Sequence, residues 1–430
     1  MTRVRGPLPR AAILGVLAAL SLLTGCGSSS SRDVVLRFWA MGREGEVVAQ
    51  LLPEFERANP DITVKVQQLP WTAAHEKLLT AFAGDATPDV CQLGNTWLPE
   101  FVALKALAPL DRHVAASAIV HADDYFAGIW DTNRVDGTLY GVPWYVDTRL
   151  LFYRRDLLAQ AGFSAPPRSW QEWREMLVAV QRSAGPDRFP ILLPLNEFEP
   201  LLALALQQDE PLLRDGGRWG NFSAPGFRRA LGFYLEMFER GWAPAVASAA
   251  IANVWIEFGR GRFAFYVSGP WNIGELRRRL PADQQERWMT APLPGPDGPG
   301  VSIAGGSSLV VFRASRHQAE AWRLVEFLSQ PAIQRRFHTL TGDLPPRRAT
   351  WQDPGLAGDV QARAFREQLE RVEPAPKVPE WERIANEMRL VAERAVHGEL
   401  SVDQAVRELD ARADRILEKR RWLLARRGAG

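Results

Sequence analysis

The sequence is poor in cysteine. Cys26 and Cys91 are the only two in 430 residues, too few for a disulfide framework. It also lacks an excess of charge of either sign, with 52 Lys and Arg against 50 Asp and Glu. Without surplus cations to track phosphates, nucleic acid is excluded as the main partner. Beyond the N-terminus no uncharged apolar run reaches about 18 residues, so no transmembrane helix is expected in the mature chain. The histidines, His75, His113, His121, His317, His338 and His397, are scattered without metal-ligand spacing, and neither metal nor cofactor is expected. There is no Gly-x-Ser-x-Gly elbow, no HExxH and no Cys/His nucleophile pair. No internal repeat of short period is present. Gly259-Arg260-Gly261-Arg262 precedes a predicted strand where a dinucleotide loop would follow one, and reads as a turn.

What the sequence does have is length and tryptophan. At 430 residues it exceeds one small core and suits two domains. Burying 16 Trp takes large cores, an apolar cleft, or both. Residues 1–25 are targeting sequence. Arg3, Arg5 and Arg10 form a basic region, and Ala11 to Leu23 is apolar but too short to span a bilayer. The segment ends in Leu23-Thr24-Gly25-Cys26, which resembles the lipobox of bacterial lipoproteins. That resemblance implies lipid on Cys26, a flexible tether over 26–32, and a Cys91 left without a partner. Cys91 sits in an apolar run and is expected to be a buried, inert thiol.

The rest of the chain is organised around residues 137–156. Asp136-Gly137 signals a turn. Leu139 to Val146 is rich in aromatic and β-branched residues, and Pro143 confines it to an edge or a crossing. Asp147 and Arg149 break the apolar run, and Leu150 to Tyr153 resumes it as a second strand. This pattern suits a chain passing between two domains across a cleft.

Around it, strand-helix-strand units recur. Strands are predicted at 34–40, 62–66 and 90–93, with helices at 44–57 (kinked by Pro53), 71–82 and 98–107. In the second half, helices are expected at 156–161, 169–179, 201–207, 226–240, 253–259 and 273–280. Ser169 and Glu172 form a capping box for the second of these. Strands fall at 189–195 and 263–267. Residues 301–312 read as strand, glycine turn, strand. Helices follow at 318–328, 331–340, 359–370, 381–397 and 401–424. Polar and aromatic groups stand at the carboxyl ends of several strands: Asn95-Thr96-Trp97, Asn196-Glu197, and Ser268 to Asn272. In open α/β sheets that is where ligands bind.

Taken together, the lipobox, Thr87-Pro88-Asp89-Val90, Leu107 to Asp111, Tyr140 to Trp144, Leu151-Phe152-Tyr153, Pro167 to Trp170, Ser268-Gly269-Pro270-Trp271, Gly305 to Ser308 and Gly342 to Pro345 form an ordered pattern. The chain resembles the extracellular solute-binding proteins of ABC transporters, in the sugar-binding group of maltose- and trehalose-binding proteins. The resemblance implies a bilobed, periplasmic-binding-protein-like α/β fold. Two doubly wound sheets would be joined by a three-crossing hinge with a ligand cleft between them. Lobe one would comprise 33–146 plus 303–344, and lobe two 147–302 plus 345–430. It further implies ligand contacts at Glu44, Asn95, Trp97, Tyr145, Asp147, Trp271, Gly305, Gly306 and Arg347. Many relatives have Asp where this chain has Asn95.

The chemistry of a sugar agrees with such a set. Its C–H faces suit Trp39, Trp97, Trp144 and Trp271, and its hydroxyls suit Asp, Glu, Asn196 and other polar groups. Any one of these tryptophans serves equally well as core. The expected protein is a lipid-anchored, extracytoplasmic monomer that captures a mono- or oligosaccharide by lobe closure and hands it to a membrane permease. Two alternatives stay open. One is a charged solute such as glycerol phosphate, on Arg149 and Arg347, or a polyamine, on Glu44, Asp147 and Glu197. The other is an exported glycoside hydrolase with paired carboxylates.

Overall fold

In the computed structural model the described residues are Thr2 and 34–427, leaving aside 184, 186, 248, 249 and 252. The export segment, Cys26 and the tether lie outside them. The first sheet has five strands in the order β2-β1-β3-β10-β4. These are β1 (Val34–Met41), β2 (Ile62–Leu69), β3 (Val90–Gly94), β4 (Val142–Asp147) and β10 (Gly305–Val311). β1 is parallel to β2 and β3, while β10 runs antiparallel to both β3 and β4. The second sheet has the order β8-β5-β7-β6. Its strands are β5 (Leu150–Arg154), β6 (Phe189–Leu192), β7 (Phe263–Ser268) and β8 (Trp288–Ala291). A short parallel pair, β9 (Ser302–Ile303) with β11 (Val372–Glu373), lies beside the point where the chain returns to the first sheet. The protein is bilobed, with a mixed sheet at the heart of each lobe.

Period-two alternation assigns the faces of these strands. On β1, Leu36, Phe38 and Ala40 point into a core shared with Val47, Phe55, Trp322 and Phe337. Trp39 and Met41 point the other way, against Leu69, Ala74, Leu78 and Phe101. The second sheet is covered likewise. Leu151, Ile191 and Phe265 meet Trp173, Phe233 and the C-terminal helices on one side, and Leu150, Phe152 and Trp288 meet Trp351 and Phe365 on the other.

The helices that position the cleft are α1 (Gly42–Val48), α2 (Leu52–Ala58), α3 (Trp71–Ala83), α4 (Leu98–Ala103), α5 (Trp170–Ser183), α6 (Glu199–Leu206), α7 (Pro225–Glu239), α8 (Trp271–Arg279), α9 (Gln318–Leu328), α10 (Pro331–Thr341), α11 (Trp381–Val396) and α12 (Val402–Ile416), followed by α13 (Glu418–Arg427). Pro53 does not kink one helix. It sits in the first turn of a second, where its missing N–H costs nothing. Residues 98–107 are helical only to Ala103. The C-terminal stretch divides at Leu417 into α12 and α13. Ser169 does cap α5, accepting from Glu172 N at 3.2 Å, but Glu172 reaches back to Arg168 N instead of closing the box. The glycines of 301–312 lie inside β10, not in a turn before it.

Three segments pass between the sheets: 147–150, 303–305 and 342–347. As the proline in its sequence requires, β4 is an edge strand. Cys91 is fully buried, and burial pushes its thiol well above the usual range. Among the described residues, no helix is long and apolar enough to cross a membrane.

Candidate ligand-binding cleft

The crossings bring the carboxyl ends of both sheets to one cavity of about 520 Å³. From the first lobe, β1 ends at Met41 and turns at Gly42, whose φ of +52° favours glycine. That turn starts α1 and delivers Glu44. β3 ends at Gly94 and delivers Asn95, Thr96 and Trp97. A Cβ on Gly94 would stand 3.3 Å from the Trp97 ring, so the ring lies against bare backbone. From the second lobe, β7 ends at Ser268 and delivers Trp271. A Cβ on Gly269 would fall 1.9 Å from that ring, so only glycine admits this ring position. Asn272 locks the same turn by donating to Ser268 Oγ at 2.8 Å and Gly269 O at 3.0 Å.

The two lobes therefore present aromatic walls. Trp71 and Trp97 meet edge-on, with centroids 5.6 Å apart, and His75 backs Trp97 at 5.0 Å. On the other side, Trp271 lies 4.8 Å from the Arg149 guanidinium. Gly305 and Gly306 pair with Asp147 and Val146 so closely that side chains at either position would strike the β4 backbone. Asn95 is braced across the second crossing, donating to Ala304 O at 2.8 Å.

Electrostatically the cleft is acidic. Glu44, Asp147, Glu199, Asp343 and Glu382 line it, and among the described residues Arg149 is the one lining cation. Arg149 is buried, pairs with Asp147, and reaches Glu199 at 2.9 Å. Burial opposes its charge, but the Asp147, Glu199 and Glu197 carboxylates overcome this and hold its pKa above the ordinary value. Burial raises the pKa of Glu44, and the Asp147 charge adds to the effect, while the Tyr145 hydroxyl works against it. Asp343, buried and facing Glu44, is raised well above the carboxylate range. Glu382 is raised by burial, partly offset by the Thr96 hydroxyl and His75.

Of the residues proposed from sequence, Glu44, Asn95, Trp97, Tyr145, Asp147, Trp271, Gly305 and Gly306 lie on this cavity. Three do not. Trp39 is in the middle of β1 on the face covered by α3, 9% exposed and 5.7 Å from Lys77 Nζ. It is core. Arg347 is buried away from the cleft, where it pairs with Asp124, donates to Ser329 O at 2.7 Å and lies over Tyr125. It pins the third crossing and does not line the cavity. Asn196 is exposed on the loop after β6, and the chain enters the cleft only at Phe198 and Glu199. Trp144 also belongs to the core, stacked 4.4 Å from Phe337.

Sequence reasoning missed Trp71, Glu199, Asp343 and Glu382. Each sits at or beside a helix terminus, and only the packing of the lobes turns these ends inward. Asp343 carried a signal, since it follows Gly342, the left-handed cap that ends α10. Among the described residues, no group of three or more His, Cys, Asp or Glu could hold a metal ion.

Comparison with known proteins places this architecture. The bacterial extracellular solute-binding protein family matches residues 41–335. The solved structure of the sugar-binding protein MalE from Xanthomonas citri is 60% identical, with a TM-score of 0.88 over 91% of this chain and 99% of its own. The diacetylchitobiose binding protein of Streptomyces coelicolor is 24% identical over 87% of this chain and 90% of its own. The galactooligosaccharide-binding protein of Bacillus subtilis is 22% identical over 92% and 95% respectively. Family match, shared architecture and a two-lobed cleft agree: the chain belongs to the bacterial extracellular solute-binding proteins.

Proposed function

We propose that the chain is the capture component of an ABC importer and that its cleft takes a neutral mono- or oligosaccharide. One observation carries this reading. Trp71 and Trp97 from one lobe confront Trp271 from the other across a space edged with carboxylates. Flat apolar walls suit C–H faces, and ionised acceptors suit hydroxyl donors. Because the walls come from different lobes, a bound sugar would favour the closed arrangement over an open one. The sugar-binding description of the Xanthomonas citri protein supports the same class.

In this reading lobe one is 33–146 plus 303–344, and lobe two is 147–302 plus 345–430. The protein acts as a monomer, tethered outside the cytoplasmic membrane through Cys26, and passes its solute to a permease without chemical change. A phosphorylated solute fits poorly: Arg149, the cation lining the cleft among the described residues, is already held by two carboxylates, and Arg347 is engaged elsewhere. A polyamine or amino sugar is the second reading, favoured by the five acids lining the cleft.

A thermal-shift screen of residues 31–430 against neutral sugars, sugar phosphates and amines tests this, since a ligand that binds only the native state raises Tm. A rise with neutral sugars is expected. A rise with phosphates or amines alone overturns the sugar assignment. Release of product from a bound glycoside on long incubation overturns the transport role.

A further inference from the structure

Trp255 does not line the cleft, yet its polar group is spent on the turn that carries the cleft's second wall. It stands on the short helix Val254–Gly259, whose start is capped by Asn253 accepting from Ile256 N at 3.0 Å. The indole Nε1 donates to Asn272 Oδ1 at 2.7 Å. The ring meets the Arg279 guanidinium at 4.5 Å, and Arg279 is in turn tied to Glu275 Oε2 at 2.6 Å. Trp255 therefore touches α8 both in its first turn and at its last residue.

Asn272 is fully buried, and its polar groups are all engaged. An indole N–H can only donate, and a carbonyl can only accept. Trp255 on one side and Gly269 O on the other thus demand the same orientation of the amide, with its oxygen toward the indole and its nitrogen toward Ser268 Oγ and Gly269 O. Without the indole donor, Oδ1 loses its partner inside the protein, which is costly, and the amide is held from one side only.

The turn that Asn272 holds has no slack. The Trp271 ring lies so close over Gly269 that a Cβ there would fall 1.9 Å from it. A small movement of Gly269 therefore moves the ring. We propose that Trp255 is a positioning residue for the cleft: acting through Asn272, it fixes the Gly269 turn and so sets where the Trp271 ring stands. The role of that ring in holding a ligand rests on the sugar reading above; the positioning itself does not.

The first test needs no ligand, so its failure is distinct from failure of the sugar assignment. The mature chain is labelled with 5-fluorotryptophan, and the Trp271 and Trp97 fluorine NMR signals are assigned by Trp271→Phe and Trp97→Phe. Trp255→Phe keeps a ring beside Arg279 and removes only the N–H donor. It should shift or broaden the Trp271 signal and leave the Trp97 signal in place. In an Asn272→Ala background, Trp255→Phe should displace the Trp271 signal no further, because both changes act through one amide. Maltose then serves as the probe of binding: its affinity should fall about threefold in Trp255→Phe, the effect of losing a modest hydrogen bond. Trp255→Leu serves if Trp255→Phe does not fold. A lowered Tm with the Trp271 signal unmoved is what a purely structural role produces, and it overturns the proposal. So does a displacement that adds to that of Asn272→Ala. Absence of maltose binding by the wild-type chain counts against the sugar reading, while the fluorine signals still decide the positioning.

Discussion

Replacing Arg149 by Met strips the cleft of a buried lining cation while keeping most of the side-chain volume. Arg149 is 6% exposed and bridges Asp147 and Glu199, which hang from different elements, the first crossing and α6. Breaking a buried ion pair from one side costs about 3–5 kcal/mol, because the remaining charge loses its compensation. Here both carboxylate side chains are 27% exposed, so water screens part of the loss and the lower end applies, about 3 kcal/mol. Urea unfolding reads this as a fall in the midpoint with an unchanged slope.

The pH dependence identifies the cause. In the variant, Asp147 and Glu199 lose their cationic partner, so stability lost through uncompensated charge returns as acid neutralises the carboxylates. The deficit should therefore be full near pH 7.5 and shrink as pH falls toward about 4. A deficit that stays constant with pH would mean that lost packing, including the contact with Trp271, outweighs the charges. No deficit at all would refute the reasoning.

Other predictions follow from the same geometry. Trp271→Ala should weaken sugar binding by roughly tenfold with the fold intact, since an aromatic contact contributes about 1 kcal/mol beyond its area and the buried face contributes more; Gly269→Ala should do the same by displacing the ring, and normal affinity in both sinks this assignment. Arg347→Met should destabilise the fold by about 3 kcal/mol in urea yet leave the sugar affinity of the folded fraction unchanged, whereas a large affinity loss would return Arg347 to the ligand set. Asp343→Asn should raise Tm near neutral pH. The Asp343 carboxyl has a raised folded pKa, so the native state loses stability as pH rises from the unfolded value through the folded one, and the gain should vanish near pH 4 in calorimetry. Cys91 should resist thiol reagents in the native protein and react at once in urea, because burial disfavours its thiolate.

Much of the architecture is legible in local pattern. Alternation on β1 and β2, the helical spacing of α3, α9 and α10, and the proline that places β4 at an edge are all contained in runs of fewer than about 15 residues, where propensity and periodicity act. The ordered set of short motifs carried the two-lobed organisation and most of the cleft, since Trp97 and Trp271 follow directly on strands whose ends are legible. The distinction between Trp97 and Trp39, or between Asp147 and Arg347, is not local. Trp39 and Trp97 are both aromatic residues on or after first-lobe strands, but α3 covers one and the cleft exposes the other. Arg347 finds Asp124 more than 200 positions away.

By itself, then, the sequence determined most of the strands and helices, and the two-lobed organisation with a cleft between its sheets. Only the tertiary structure decided which tryptophans face that cleft, that Glu44, Asp147, Glu199, Asp343 and Glu382 line it together, and that a buried glutamine, Gln92, stands behind Tyr145. Periodicity is written in neighbouring residues. The company a side chain keeps depends on how distant helix ends and crossings pack together, and no window of sequence contains that.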